Sequence, residues 1–125
     1  PGLEGKLTGL ALRVPVSDVS IVDLTFRTET PTTVKAILAT FEEAAAQGQE
    51  MEDLILICNE KTVSTDWKGC LQSCIVDAPS CIMLNEHFFN VLAWYDNEMG
   101  YAARLVDMVC YVHRSDAAER AAKRG

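Results

Sequence analysis

Asn97 lies in WYDNEMGY, residues 94–101, where an aromatic pair gives way to Asp-Asn-Glu between two apolar stretches. A primary amide both donates and accepts, so Asn97 can pair with another primary amide or simply hold a turn. Arg13, in LALRVP, is the second candidate, because a guanidinium can grip a phosphate or carboxylate through two parallel hydrogen bonds. The plainer readings are a helix cap for Asp96 or Asn97 and an ion pair between Arg13 and an acid such as Asp23. Spacing alone favours both of these. Five cysteines (Cys58, Cys70, Cys74, Cys81 and Cys110) and two histidines (His87 and His113) complete the reactive inventory. Cys70 and Cys74 have no second Cys or His pair at zinc spacing, so no metal site is expected. The chain also lacks the Gly-rich patterns GxGxxG and GxxxxGK[ST] that cradle phosphates.

The elements that would position these residues follow from hydrophobic periodicity. Lys6–Val14 alternates, with Leu10, Leu12 and Val14 on one face and Gly9, Ala11 and Arg13 on the other. Pro15 ends that run, and Asp18–Arg27 alternates again, so the pair predicts a β-hairpin. Thr30-Pro31-Thr32-Thr33 starts a helix whose apolar stripe is Val34, Ile37, Leu38, Phe41 and Ala45, closed by Gln47-Gly48-Gln49. Leu54–Cys58 predicts a short buried strand. Extended pieces are expected near Thr62–Thr65, Leu71–Val76 and Cys81–Leu84, and a last strand at Phe88–Tyr95. A helix over Met99–His113 should bury Ala102, Leu105, Val106, Val109 and Val112. Trp94 and Tyr95 point to opposite faces of their strand, so at least one should be core. The expected architecture is α+β: a mixed, mostly antiparallel sheet with helices on one face.

The 125 residues suit one domain. Eleven basic against eighteen acidic residues leave a net charge of −7, which argues against general affinity for nucleic acid or anionic membrane. No apolar run reaches the roughly 18 residues of a transmembrane helix. An odd number of cysteines in a core-forming chain points to free thiols in a reducing compartment.

Taken together, KLTGLALRVP (6–15), DVSIVDLTF (18–26), VSTD (63–66), WYDNEMGY and RLVDMV (104–109) resemble glyceraldehyde-3-phosphate dehydrogenase in order and spacing. The resemblance runs from about Pro1 to His113 and implies that residues 1–113 are part of the catalytic domain, with 114–125 a polar extension. It implies an oxidoreductase, glycolytic or plastid-type, that oxidises glyceraldehyde 3-phosphate with NAD or NADP and inorganic phosphate through a cysteine thioester. By the same resemblance Arg13 matches the substrate-phosphate arginine, Asn97 the asparagine that bonds the nicotinamide carboxamide, and Tyr101 the aromatic residue beside the nicotinamide.

The family's nucleotide domain, its Ser-Cys-Thr-Thr-Asn nucleophile segment, its base histidine and its Ser-Thr-Gly phosphate segment have no counterpart in these residues. Ser73-Cys74-Ile75 echoes the nucleophile motif, but Thr-Thr-Asn does not follow, and neither His87 nor His113 matches the base. No catalytic residue is therefore expected in the chain itself. The expected role is a structural or assembly subunit of a larger complex, with no cofactor. The alternative is a piece of an active dehydrogenase, with NAD or NADP as cofactor. Either way the partners are other protein chains. The family default is the cytoplasm, with a plastid or mitochondrion as the other setting.

Overall fold

The computed structural model describes residues 2–123. Its elements, in chain order, are β1 (Ser20–Arg27), α1 (Val34–Ala44), β2 (Ile55–Cys58), β3 (Cys74–Asp77), β4 (Ile82–Asn85), β5 (Phe88–Tyr95) and α2 (Met99–Ala122). Single 3-10 turns at Ser64–Trp67 and Ala78–Ser80 flank β3. The architecture is α+β, as the alternation of periods implies.

β5 is the centre of the mixed sheet. All eight of its residues pair antiparallel with β1, from Ser20↔Tyr95 to Arg27↔Phe88. Its other edge is shared: β4 takes the Phe88–Asn90 end and β3 takes Ala93 and Trp94. β2 then adds parallel to β3, with Cys58 opposite Asp77. The position of β3 between β5 and β2 explains why Ile75 and Val76 are both buried although they point to opposite faces. Phe89 and Val91 complete the core with Val19 and Cys58. Phe26 faces its register partner Phe89, their rings tilted and 5.8 Å apart.

α1 begins where the Thr33 hydroxyl accepts from the Ala36 N–H at 3.2 Å. Its predicted stripe of Val34, Ile37, Leu38 and Phe41 is half-buried, and the helix packs against β2. Gly48 follows at φ 82°, a left-handed conformation that favours glycine.

Several expectations need correction. Lys6–Val14 forms no strand; it is an unpaired, exposed segment, with Leu10 83% and Leu12 78% accessible. A strand's backbone groups and alternate apolar face need a neighbour, and nothing among the described residues lies along that edge. Thr62–Thr65 gives way to the 3-10 turn because the Asp66 carboxylate accepts from the Val63 N–H at 2.8 Å, a local bond that outcompetes extension. Within Leu54–Cys58 only Cys58 is buried, since β2 is an edge strand.

The largest departure concerns α2. It runs past His113 to Ala122, and Ala102, Leu105, Val106, Val109 and Val112 are exposed, not buried. Among the described residues the main helix-to-sheet packing is that of α1 on β2. Beyond its first turns α2 leaves the body of the domain. Trp94 and Tyr95 are both half-buried, and the Trp94 indole donates to the buried Asp77 carboxylate at 3.1 Å. Among the described residues no helix is long and apolar enough to cross a membrane. The five cysteines are free.

The junction of β5 with α2 is held by one buried side chain, Asp96. Its Oδ1 accepts from the Glu98 and Met99 N–H groups at 3.0 and 2.8 Å. Its Oδ2 accepts from the Gly69 N–H at 2.8 Å, tying in the loop before β3. These bonds, led by the Met99 and Gly69 amides, hold the Asp96 carboxyl below its ordinary range. Asp96→Ala leaves three amides without an acceptor and should lower unfolding stability by about 3 kcal/mol. Asp96→Asn, which keeps one acceptor oxygen, should cost about 1 kcal/mol. A depressed carboxyl stabilises fully above the ordinary carboxylate value of about 3.9, and that contribution fades as pH falls through the lower folded-state value. Urea unfolding at pH 7 and below pH 4 checks both points: the gap between wild type and Asp96→Asn should narrow in acid.

Candidate functional site

β5 ends at Tyr95, and its chain passes through Asp96 into the first two turns of α2. Asn97, Gly100, Tyr101 and Arg104 are spaced three or four apart, so they share one side of that helix start. With Ser73, Tyr95 and Asp96 they line an open concavity of about 230 Å³. The buried Asp96 fixes the backbone, and Asn97 and Tyr101 after it are presented to solvent.

Asn97 is exposed, and its Oδ1 receives only a long 3.5 Å bond from the Ser20 hydroxyl. The helix-cap role falls to Asp96, so the Asn97 amide keeps its capacity to donate and to accept. Tyr101 is 72% accessible and offers a ring face and a phenol at the mouth. Of the residues singled out from the sequence, Asn97 and Tyr101 thus come together. Arg13 does not join them: it lies in the exposed segment before β1, outside this concavity. Nor does it pair with Asp23, whose carboxylate receives the Asn90 amide, which also donates to the Thr25 hydroxyl at 3.1 Å.

The lining holds no activated nucleophile. The Ser73 hydroxyl accepts from the Arg104 guanidinium at 2.8 Å, and no histidine lies beside it. Cys74 follows Ser73 in β3, but burial pushes its thiol up, which disfavours the thiolate. Burial likewise raises Cys81. His87 is engaged with the Thr28 carbonyl, 2.9 Å from its Nδ1, at the opposite end of β5. Among the described residues no three metal-ligating side chains gather. The concavity thus presents hydrogen-bonding and aromatic side chains, with no thiol or imidazole among its lining residues.

Two of the lining residues, Ser73 and Arg104, carried no signal as site members. Ser73 reaches the concavity only through tertiary contact, and Arg104 appeared only within the RLVDMV run. A second concavity of about 420 Å³ lies on the other side of the junction, lined by Asp18, Lys68, Gly69, Asp96, Glu98, Met99 and Ala102. Its three carboxylates face one lysine, an unpromising lining for a nucleotide phosphate.

The family described as "Glyceraldehyde 3-phosphate dehydrogenase, C-terminal domain" matches residues 1–97. A glyceraldehyde-3-phosphate dehydrogenase of Chlamydia trachomatis serovar L2 is 47% identical over 115 residues, covering 92% of this chain and 34% of the relative. Glyceraldehyde-3-phosphate dehydrogenase 2 of Mucor circinelloides f. lusitanicus is 45% identical over 118 residues, covering 94% of this chain and 34% of the relative. Glyceraldehyde-3-phosphate dehydrogenase 1 of Trichormus variabilis is 49% identical over 109 residues, covering 87% and 31%. The chain thus spans about a third of the length of these curated relatives. On that match it belongs to the glyceraldehyde 3-phosphate dehydrogenase C-terminal domain family.

Proposed function

We propose that this chain forms the nicotinamide-facing wall of a glyceraldehyde-3-phosphate dehydrogenase active site that other polypeptide completes. The observation that carries the reading is the convergence of Asn97 and Tyr101 on one open concavity, with the Asn97 amide left uncommitted by the Asp96 cap. A carboxamide needs one donor and one acceptor in a plane, and Asn97 offers both. The Tyr101 ring beside it can cover a face of the heterocycle. NAD or NADP, when bound, supplies the hydride acceptor of an aldehyde oxidation. This chain's part is to orient the carboxamide and so fix which ring face meets substrate.

Arg13 would contribute separately. Its guanidinium is exposed in the segment before β1, suited to a phosphate group delivered by substrate. Covalent and acid–base steps need a thiolate and a base within hydrogen-bond reach of substrate, and the concavity has neither. Those groups would come from outside the 125 residues.

A structural or assembly role is the second reading. It is favoured by the apolar surface left open: Leu10, Leu12 and Val14 before β1, and Leu105, Val106, Val109 and Val112 on α2. Such surface calls for protein partners under either reading.

Cofactor titration of the protein with its native partners separates the two. Asn97→Ala should weaken NAD binding about tenfold, the loss of a pair of hydrogen bonds, and Tyr101→Ala should weaken it severalfold. Cofactor binding that is absent, or indifferent to both changes, favours the assembly role. In steady-state kinetics Arg13→Ala should raise the KM for glyceraldehyde 3-phosphate about tenfold while NAD affinity stays at the wild-type value.

A further inference from the structure

We infer that Arg104 is a positioning residue for the nicotinamide wall: it clamps the segment before β3 against the helix that carries Asn97 and Tyr101. The inference rests on the reading of those two residues given above. Arg104 Nη1 donates to the Ser73 hydroxyl at 2.8 Å and to the Leu71 carbonyl at 3.3 Å. Its Nε donates to Asp107 Oδ2 at 2.8 Å, one turn on, which holds the guanidinium plane in place.

The segment it grips is itself anchored. The Ser73 and Cys74 N–H groups both donate to the Leu54 carbonyl, at 3.0 and 3.1 Å, at the start of β2. Arg104 therefore links α2 to the sheet through a fixed point. Between the Asp96 junction and this clamp lies Gly100, where a Cβ would stand 3.5 Å from the Gln72 carbonyl oxygen and 3.9 Å from the Ser73 Cα. Helix and segment thus pass close to each other at Gly100, pinned at one end by Asp96 to Gly69 and at the other by Arg104 to Leu71 and Ser73.

Tyr101 sits between the two pins. From Leu105 to Ala117 the α2 residues are exposed, so the Arg104 clamp is the last of these anchors along that stretch of helix. One pin at the helix start leaves it free to pivot; the second fixes its direction. Release of the clamp would swing Tyr101 and widen the concavity without touching the cap. Nη1 and Nε of Arg104 are committed to protein acceptors, and in this inference the residue acts through Ser73 and Tyr101.

The test combines amide hydrogen exchange with NAD titration on the protein and its native partners, in Ser73→Ala, Arg104→Ala and Arg104→Lys. Ser73→Ala removes an acceptor at the surface and guards against a fold that Arg104→Ala might not tolerate. Expected are amides of residues 97–104 that exchange about tenfold faster in Ser73→Ala and Arg104→Ala, NAD binding about tenfold weaker, and an unfolding midpoint for Ser73→Ala close to wild type. Arg104→Lys, which keeps a donor but not the fork, should recover part of both losses. Wild-type exchange and wild-type NAD affinity in Ser73→Ala would overturn the clamp; weakened binding in Arg104→Ala alone would mean that the arginine touches cofactor directly, which also overturns it. If Asn97→Ala leaves NAD affinity unchanged, the nicotinamide reading fails by itself. The clamp then stands or falls on the exchange rates, faster at 97–104 supporting it and unchanged rates rejecting it.

Discussion

The carboxylate of Asp96 is the interaction on which the site depends. It closes the first turn of α2 through the Glu98 and Met99 amides and joins that turn to Gly69, in the loop leading to β3. Three backbone donors converge on one buried carboxylate, and bonds to an ionised acceptor are stronger than those between neutral groups. The cap also has a chemical consequence. Since Asp96 satisfies the helix start, the neighbouring Asn97 is released from that duty and keeps both halves of its amide available. Two adjacent polar residues thus divide the work, one structural and one presented outward.

The same junction explains the shape of the molecule. The sheet is built around β5, fully paired on one side and shared on the other, and its core is small: Ile75, Val76, Phe89, Val91, Val19 and Cys58. α2 leaves that core after Arg104 and carries apolar side chains into solvent, and the Lys6–Val14 segment does likewise. The chain spans about a third of the length of its curated relatives.

How far the residues foretold this differs by element. β5 was legible to its ends, because eight residues of high strand propensity are bounded by turn-forming neighbours. α1 was legible through its threonine-proline start and single apolar stripe. Lys6–Val14 was not, since alternation marks what a segment would do beside a neighbour and cannot say whether one is there. The burial expected along α2 failed for the same reason: helical periodicity identifies an apolar face without supplying what covers it. The WYDNEMGY resemblance singles out Asn97 and Tyr101, which the fold places on one concavity, whereas physical reasoning alone reads Asn97 as a cap. Ser73 and Arg104 stayed hidden, because a hydrogen bond across 31 positions of chain leaves no local pattern.

The central claim is that the concavity beside Tyr101 receives a nicotinamide. Nuclear Overhauser contacts between cofactor and protein, recorded on the protein with its native partners and saturating NAD, test this most directly. The account predicts contacts from the nicotinamide ring protons to the Tyr101 ring and to the Asn97 side-chain amide. Saturable NAD binding with nicotinamide contacts confined to other residues, or no binding at all, would contradict it.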